Sequence, residues 1–228
     1  MEEQRPPDIF TVAYEATASG VAETLADGRT PQKAVGVAQD AARLLDKMLS
    51  RLDQTHPPAC RARCSWCCYI RVACKPPEAI SVAAYIQTRL AKHVRRQLVA
   101  HLDAVCDQTR SLDSKVWARQ RIPCPFLGDG MCLVHQARPL ACRGWHSFDV
   151  EQCKRHWEDM SSMVDASGAR LKLRGVVSNA VSDGLKRGGL TADSVDLAAA
   201  VRLVLHDPDT VAAWLRGEDA LATVRWLG

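Results

Sequence analysis

Cysteine is absent from residues 1–59 and again from residues 154–228, although ten cysteines stand between those flanks. Aromatic residues are scarce, at 5% of the chain. No apolar run approaches the roughly 18 residues that suggest a membrane span. The N-terminal stretch MEEQRPPDIF has two glutamates and two prolines where a secretory signal would place basic residues before an apolar segment. No solenoid-period repeat or low-complexity tract interrupts it. A composition of 47% hydrophobic and 25% charged residues excludes disorder and collagen-like repetition, leaving an ordinary globular chain. The expected location is cytoplasmic and off the membrane.

The cysteines lie at 60, 64, 67, 68, 74, 106, 124, 132, 142 and 153. A disulfide framework belongs to small secreted domains that cannot bury an adequate core, whereas this chain is long enough to bury one. In the cytoplasm, cysteines at short spacings are more often metal ligands or catalytic thiols than bridges.

The net charge of +4 says little about partners. Basic residues gather at Arg61-Ala62-Arg63, from Lys92 to Arg96, and around Arg119 and Arg121. Such groups suit nucleic acid or an acidic protein partner. Scattered Arg and Lys on solvated helix faces are the stronger explanation for most of them, and those near cysteines would offset thiolate charge.

The fold class read from the pattern is mainly α, with helices surrounding a small irregular cysteine-rich core that contains a short β-hairpin. Thr30 and Pro31 form a helix start, and Ala34, Val37, Ala38, Ala41, Leu45, Met48 and Leu52 follow at helical spacing. Pro76-Pro77-Glu78 starts a second helix expected to run unbroken to about Gln108, with Cys106 on its apolar face. Leu127 and Met131 are expected to pair across a three-residue Gly128-Asp129-Gly130 loop, which puts Cys124 diagonally across from Cys132. Thr191 is the expected N-cap of a helix through His206, Asp207-Pro208 restarts a further one, and Gly217 sits at a C-cap position. The chain divides into an N-terminal helical segment (1–57), a cysteine-cluster core with an inserted long helix (58–160) and a C-terminal helical segment (161–228), expected to form one compact domain.

The chemistry lies in two groups. Cys60, Cys64, Cys67 and Cys68 fall within nine residues, and Cys124, Cys132, Cys142 and Cys153 follow downstream. A C-x2-C element such as Cys64 to Cys67 lets one tight loop direct two sulfurs at one metal, as zinc knuckles and iron–sulfur sites do. Thiolates crowded this closely repel, so a cation or a set of disulfides has to balance them. The adjacent pair Cys67-Cys68 points its sulfurs apart in most backbone conformations, so one member serves a second centre or stays a free or buried thiol. Cys74 is undecided. His135 and His156, each at C-x2-H spacing, rank below the thiols as ligands, and His146 near Cys142 could hydrogen-bond to a ligand.

The stretch Cys60 to Cys68, the segment CPFLGDGMCLVHQARPLACRGWH from Cys124 to His146, and Cys153 resemble the YkgJ-type cysteine-cluster family, described as zinc- or iron-chelating proteins of the CxxCxxCC type. The resemblance covers roughly residues 58–155. It places the family's cysteines on Cys64, Cys67, Cys68, Cys124, Cys132, Cys142 and Cys153, with Arg138, Pro139 and Arg143 in the matching RPLACR segment. Cys60 departs from it, because three residues separate Cys60 from Cys64 where the family has two. Flagellin lysine methylase is similar in cysteine pattern and is associated with an iron–sulfur cluster and S-adenosylmethionine, but no glycine-rich strand–turn–helix for a methyl donor occurs here.

The resulting expectation is a protein with one or two centres, iron–sulfur ahead of zinc, in a redox or cofactor role. Cys60, Cys64, Cys67, Cys68, Cys124, Cys132, Cys142 and Cys153 are the metal ligands, and Arg138 and Arg143 offset cluster charge. The alternatives are a zinc-organised structural or interaction module, and an enzyme that modifies a protein side chain beside its cluster. The enzyme reading requires a pocket at the centre.

Overall fold

The computed structural model describes residues 8–226. They form helices packed on one hydrophobic core, with two small antiparallel ladders at its edge. Helix α1 (Ile9–Ala26) starts at Asp8, whose carboxylate accepts the Phe10 and Thr11 N–H groups. Helix α2 (Pro31–Asp53) begins where the sequence places it: the Thr30 hydroxyl accepts the Lys33 N–H at 3.2 Å, and Pro31 occupies the first turn. Its buried stripe, Ala34, Val37, Ala38, Ala41, Leu45 and Met48, makes it the central column. Against it pack α1, α3 (Pro76–Arg89), α6 (Leu140–Gly144) and α8 (Gly168–Arg187).

The helix expected from Pro76 to about Gln108 is two helices. Leu90 and Ala91 turn extended, at ψ 138° and 145°, and α4 (Lys92–Thr109) follows. No glycine or proline marks this break. It lets α3 pack on both α2 and α9 (Leu197–His206) while α4 packs on α9 and, through Val105, on Trp117 and Ile122. The Arg95 guanidinium donates to the Gln87 carbonyl at 2.6 Å, satisfying an acceptor freed at the end of α3. Cys106 lies in the core at 8% exposure.

The last third also starts later than expected. Residues 191–194 are irregular, β4 (Val195–Asp196) pairs with β1 (Ala73–Cys74), and the N-cap of α9 is Asp196, not Thr191. Asp196 accepts the Ala199 N–H at 2.9 Å and the Arg71 Nε–H at 3.0 Å. A carboxylate that caps a helix and pairs a guanidinium at once outcompetes a threonine whose carbonyl is already taken by the Trp214 indole. Cys74 is thereby settled as a core residue at 4% exposure, opposite Val195. Helix α10 (Asp209–Leu215) restarts after Pro208, and Gly217 follows it at φ +90°.

The hairpin is correct in place and shifted in register. Strand β2 (Leu127–Gly128) pairs with β3 (Met131–Cys132) so that Leu127 faces Cys132 and Gly128 faces Met131. Its loop is therefore two residues, Asp129-Gly130, both at positive φ (50° and 74°). A two-residue turn of this kind matches the right-handed twist of the strands, and Asp-Gly is its preferred sequence.

Glu78 ties this frame to the cysteine-rich loops. At 5% exposure its carboxylate accepts the Lys75 N–H at 2.7 Å, fixing the first turn of α3, and the Leu140 N–H at 2.6 Å, fixing the first turn of α6. Burial raises its pKa, and the two backbone donors and Lys75 hold against that rise. Glu78→Ala orphans two backbone donors and is expected to cost about 2–4 kcal/mol, while Glu78→Gln, which keeps one acceptor, costs less. Urea unfolding of the two variants checks the order.

Candidate metal centre

The thiol-bearing segments are held together by backbone. The loop after α2 runs through Cys60 and Cys64 into a tight 3-10 turn, Trp66–Tyr69. The Cys124 N–H donates to the Cys68 carbonyl at 2.7 Å, joining the two cysteine groups directly. The Ala59 N–H donates to the Ser147 carbonyl at 2.9 Å, which brings the start of the loop beside the segment linking α6 to α7 (Val150–Glu158). Cys60 Sγ lies 4.0 Å from the same carbonyl. Cys142 is carried by α6 and Cys153 by α7.

Aromatic packing fixes α7 against the turn. Trp157 meets the Trp66 ring at 5.5 Å and the Tyr69 ring at 5.9 Å, both edge-on, and the Arg121 guanidinium covers it at 4.3 Å. One turn earlier on α7 stands Cys153, so this stack sets its position relative to Cys67 and Cys68. Trp157 is a member of the stack that no cysteine spacing marks.

All ten cysteines are free thiols. Cys60 and Cys67 are exposed, Cys64, Cys68, Cys124, Cys132, Cys142 and Cys153 are partly buried, and Cys74 and Cys106 belong to the core. The thiols raise one another's pKa values in a pattern that groups them. Burial pushes the Cys60 thiol up, and negative charge on Cys64 and Cys67 pushes the same way. Burial raises Cys153 too, with Cys60, Cys64 and Cys67 adding to it. Burial carries Cys142 to about 12, with Cys132 and Cys67 as its nearest thiol contributors. Cys124 is raised by burial and then by Cys142 and Cys132, and Cys132 by burial and by Cys67. Cys67 itself is raised first by its hydrogen bond to Cys68. The eight form two neighbourhoods, Cys60–Cys64–Cys153 and Cys124–Cys132–Cys142, that meet at Cys67 and Cys68. Cys60, out of step with the family spacing, sits inside the first.

Carboxylates are absent from the stretches that carry most of the thiols, although Glu78 and Asp196 from neighbouring elements act on Cys142 and Cys124. Between Asp53 and Glu78, between Asp113 and Asp129, and between Asp129 and Asp149 the chain has no Asp or Glu, and the charged residues there are Arg and Lys. Arg138 lowers the pKa of both Cys132 and Cys142. Arg143 is a structural clamp: it pairs with Asp46 at 2.5 Å and donates to the Arg138 and Gln136 carbonyls. A cavity of about 20 Å³ lies between them and Glu78, room for a water molecule and too small for a substrate. His135 lies against Arg138, and His156 Nδ1 is 2.7 Å from the Ser162 carbonyl. Among the described residues no three Cys, His, Asp or Glu side chains already stand close enough to hold a metal ion. The chemistry of the donor set, free thiols in a surround of positive charge, fits a thiophilic centre.

No helix among the described residues is long and apolar enough to cross a membrane. Comparison with protein-family models, curated proteins and solved structures found no match to this chain.

The raised thiols hold their protons more tightly folded than unfolded. The stability they lend is complete below their ordinary value of 9.0 and is lost as pH climbs toward the raised values. The thermal midpoint of the reduced, metal-free chain is expected to fall from about pH 9 upward, and a flat profile there would show that the thiols are solvated.

Proposed function

We propose that the protein holds one or two cysteine-ligated metal centres, iron–sulfur in preference to zinc, in a redox or cofactor role. The observation that supports the reading is that eight free thiols lie on segments fastened to one another by backbone hydrogen bonds: the 60–68 loop, Cys124, β3, α6 and α7. Cys60, Cys64 and Cys153 would serve one centre and Cys124, Cys132 and Cys142 the other, with Cys67 and Cys68, whose side chains hydrogen-bond to each other instead of pointing apart, between them. The resemblance to the YkgJ-type family belongs to the same proposal. A bound iron–sulfur centre supplies one-electron chemistry, and zinc in its place a rigid cross-link.

The chain's own part is to gather, screen and deprotonate. Loading draws together thiols that protonation now lets lie apart, and each ligand sheds its proton on binding. Arg138 stands over Cys132 and Cys142 to offset the charge that appears. The small cavity at Arg138 and Arg143 gives the side-chain-modifying enzyme no place for its substrate at that position.

Protein purified without oxygen is expected to be brown, with iron and acid-labile sulfide. A colourless protein with stoichiometric zinc would establish the zinc module instead, and one holding neither metal would overturn the reading. Apparent metal affinity should climb with pH across the neutral range, by about tenfold per unit for each thiol proton released, as chelator competition at several pH values would read out.

A further inference from the structure

Cys67 and Cys68 are neighbours in the chain, and the turn that carries them is held from several sides. In the 3-10 turn Trp66–Tyr69 the Cys68 N–H donates to the Ser65 carbonyl at 2.8 Å, and the Cys68 carbonyl takes the Cys124 N–H at 2.7 Å. Trp66 and Tyr69, one on each side of the pair, both pack edge-on against Trp157. Cys68 leaves the helical region for φ −88° and ψ 22°, the backbone setting of the third residue of a type I turn. In that bend the Cys67 thiol hydrogen-bonds to Cys68. Cys60, Cys124, Cys132, Cys142 and Cys153 feel neighbouring sulfurs through their charge, without such a contact. Both members of the pair are free thiols, and Cys67 is an exposed residue that a reagent in solution can reach.

Two thiols in contact on adjacent residues can close into a disulfide with little movement of the surrounding chain. The peptide between them is trans. Adjacent Cα atoms across a trans peptide stand about 3.8 Å apart, inside the roughly 4.4–6.8 Å that relaxed disulfides span, so the closed ring is strained. Strained or exposed disulfides are the labile ones, whereas structural disulfides resist reduction by thiols. A bond at this place therefore opens again in mild reductant.

We propose that Cys67 and Cys68 form a redox modification site, a vicinal dithiol that closes reversibly to a disulfide by exchange with a low-molecular-weight disulfide. In the first step one sulfur of the pair bonds to a sulfur of the donor, the donor S–S bond breaks, and one thiol is released. In the second, the neighbouring sulfur bonds to the first and expels the other half of the donor. The two protons of the pair leave on the two released thiols, and the donor takes up the two electrons that the pair gives. The site goes beyond the metal-binding reading and does not rest on it, since it needs only these two sulfurs. Where a metal is held, closure withdraws both from its donor set.

Reduced, chelator-treated full-length protein is incubated with oxidised glutathione, and the remaining thiols are blocked by alkylation. Trypsin cuts after Arg63 and chymotrypsin after Trp66 and Tyr69, so the digest separates Cys64 from the pair. The first disulfide to form is expected inside the peptide Cys67–Tyr69, two hydrogens lighter than its reduced form and free of the Cys64 fragment. Reduced glutathione should reopen it, and Cys68→Ser should instead retain glutathione on Cys67. A first disulfide that ties Cys64 or a downstream cysteine to the pair overturns the inference. So does a glutathione adduct that stays on the wild-type pair without closing, or a closed bond that reduced glutathione leaves intact. Zn2+ uptake by the same reduced protein reads the metal-binding reading separately: a chain that closes the pair and takes up no metal keeps this inference and loses that one.

Discussion

Eight sulfurs can share one neighbourhood only while they keep their protons or surround a cation, and the rest of this structure is arranged around that condition. Ionising any of Cys60, Cys142 or Cys153 in place raises the cost of ionising its neighbours, because burial and like charge act together on the same thiols. The metal-free chain resolves the conflict by protonation. A metal would resolve it by charge, so folding and loading are linked in one free energy.

The helical frame makes that arrangement possible without a disulfide. Helix α2 and the helices packed on it supply a continuous hydrophobic core, and the cysteine-rich loops are fastened to its edge at a few defined points. Glu78 joins α3 to the start of α6, the Arg71–Asp196 pair joins the segment after the 3-10 turn to α9, and the Trp157 stack seats α7 on that turn. These polar and aromatic fasteners work together with bulk packing, since Phe126, Val134 and Leu140 from the cysteine-bearing segments are buried in the main core.

Much of the frame was legible in the chain because local signals there agree with the tertiary outcome. Thr30-Pro31 with its apolar repeat reads directly as α2, and Gly128-Asp129-Gly130 marks the place of the hairpin though not its register. The misreadings share one cause: long-range contacts overrode local preference. Nothing in Thr88-Arg89-Leu90-Ala91 forbids helix, yet α3 and α4 have different partners and the chain bends between them. Thr191 is a sound cap in isolation, but pairing of Val195 with Cys74 moved the helix start to Asp196. The hairpin register differs by one because Asp129, which tolerates positive φ better than most non-glycine residues, takes the first turn position ahead of Gly130 and frees Gly128 to pair. Helix α8 escaped notice because its glycines obscure the pattern; Gly184 is there so that α8 can approach α1, where a Cβ would stand 2.6 Å from the Ala18 carbonyl.

The sequence by itself determined where the thiols cluster, which is the feature that motivates the metal-binding proposal. It also determined which cysteines lie outside the site in one case, Cys106, through helical periodicity. Only the tertiary structure decided how the sulfurs divide. Cys60 joins Cys64 and Cys153, Cys124 joins Cys132 and Cys142, and Cys74 turns into the core, because backbone hydrogen bonds such as Cys124 to Cys68 and Ala59 to Ser147 act across spans that no local pattern encodes. Trp157 was invisible for the same reason: proximity, not spacing, gives an indole its place beside a cluster of thiols.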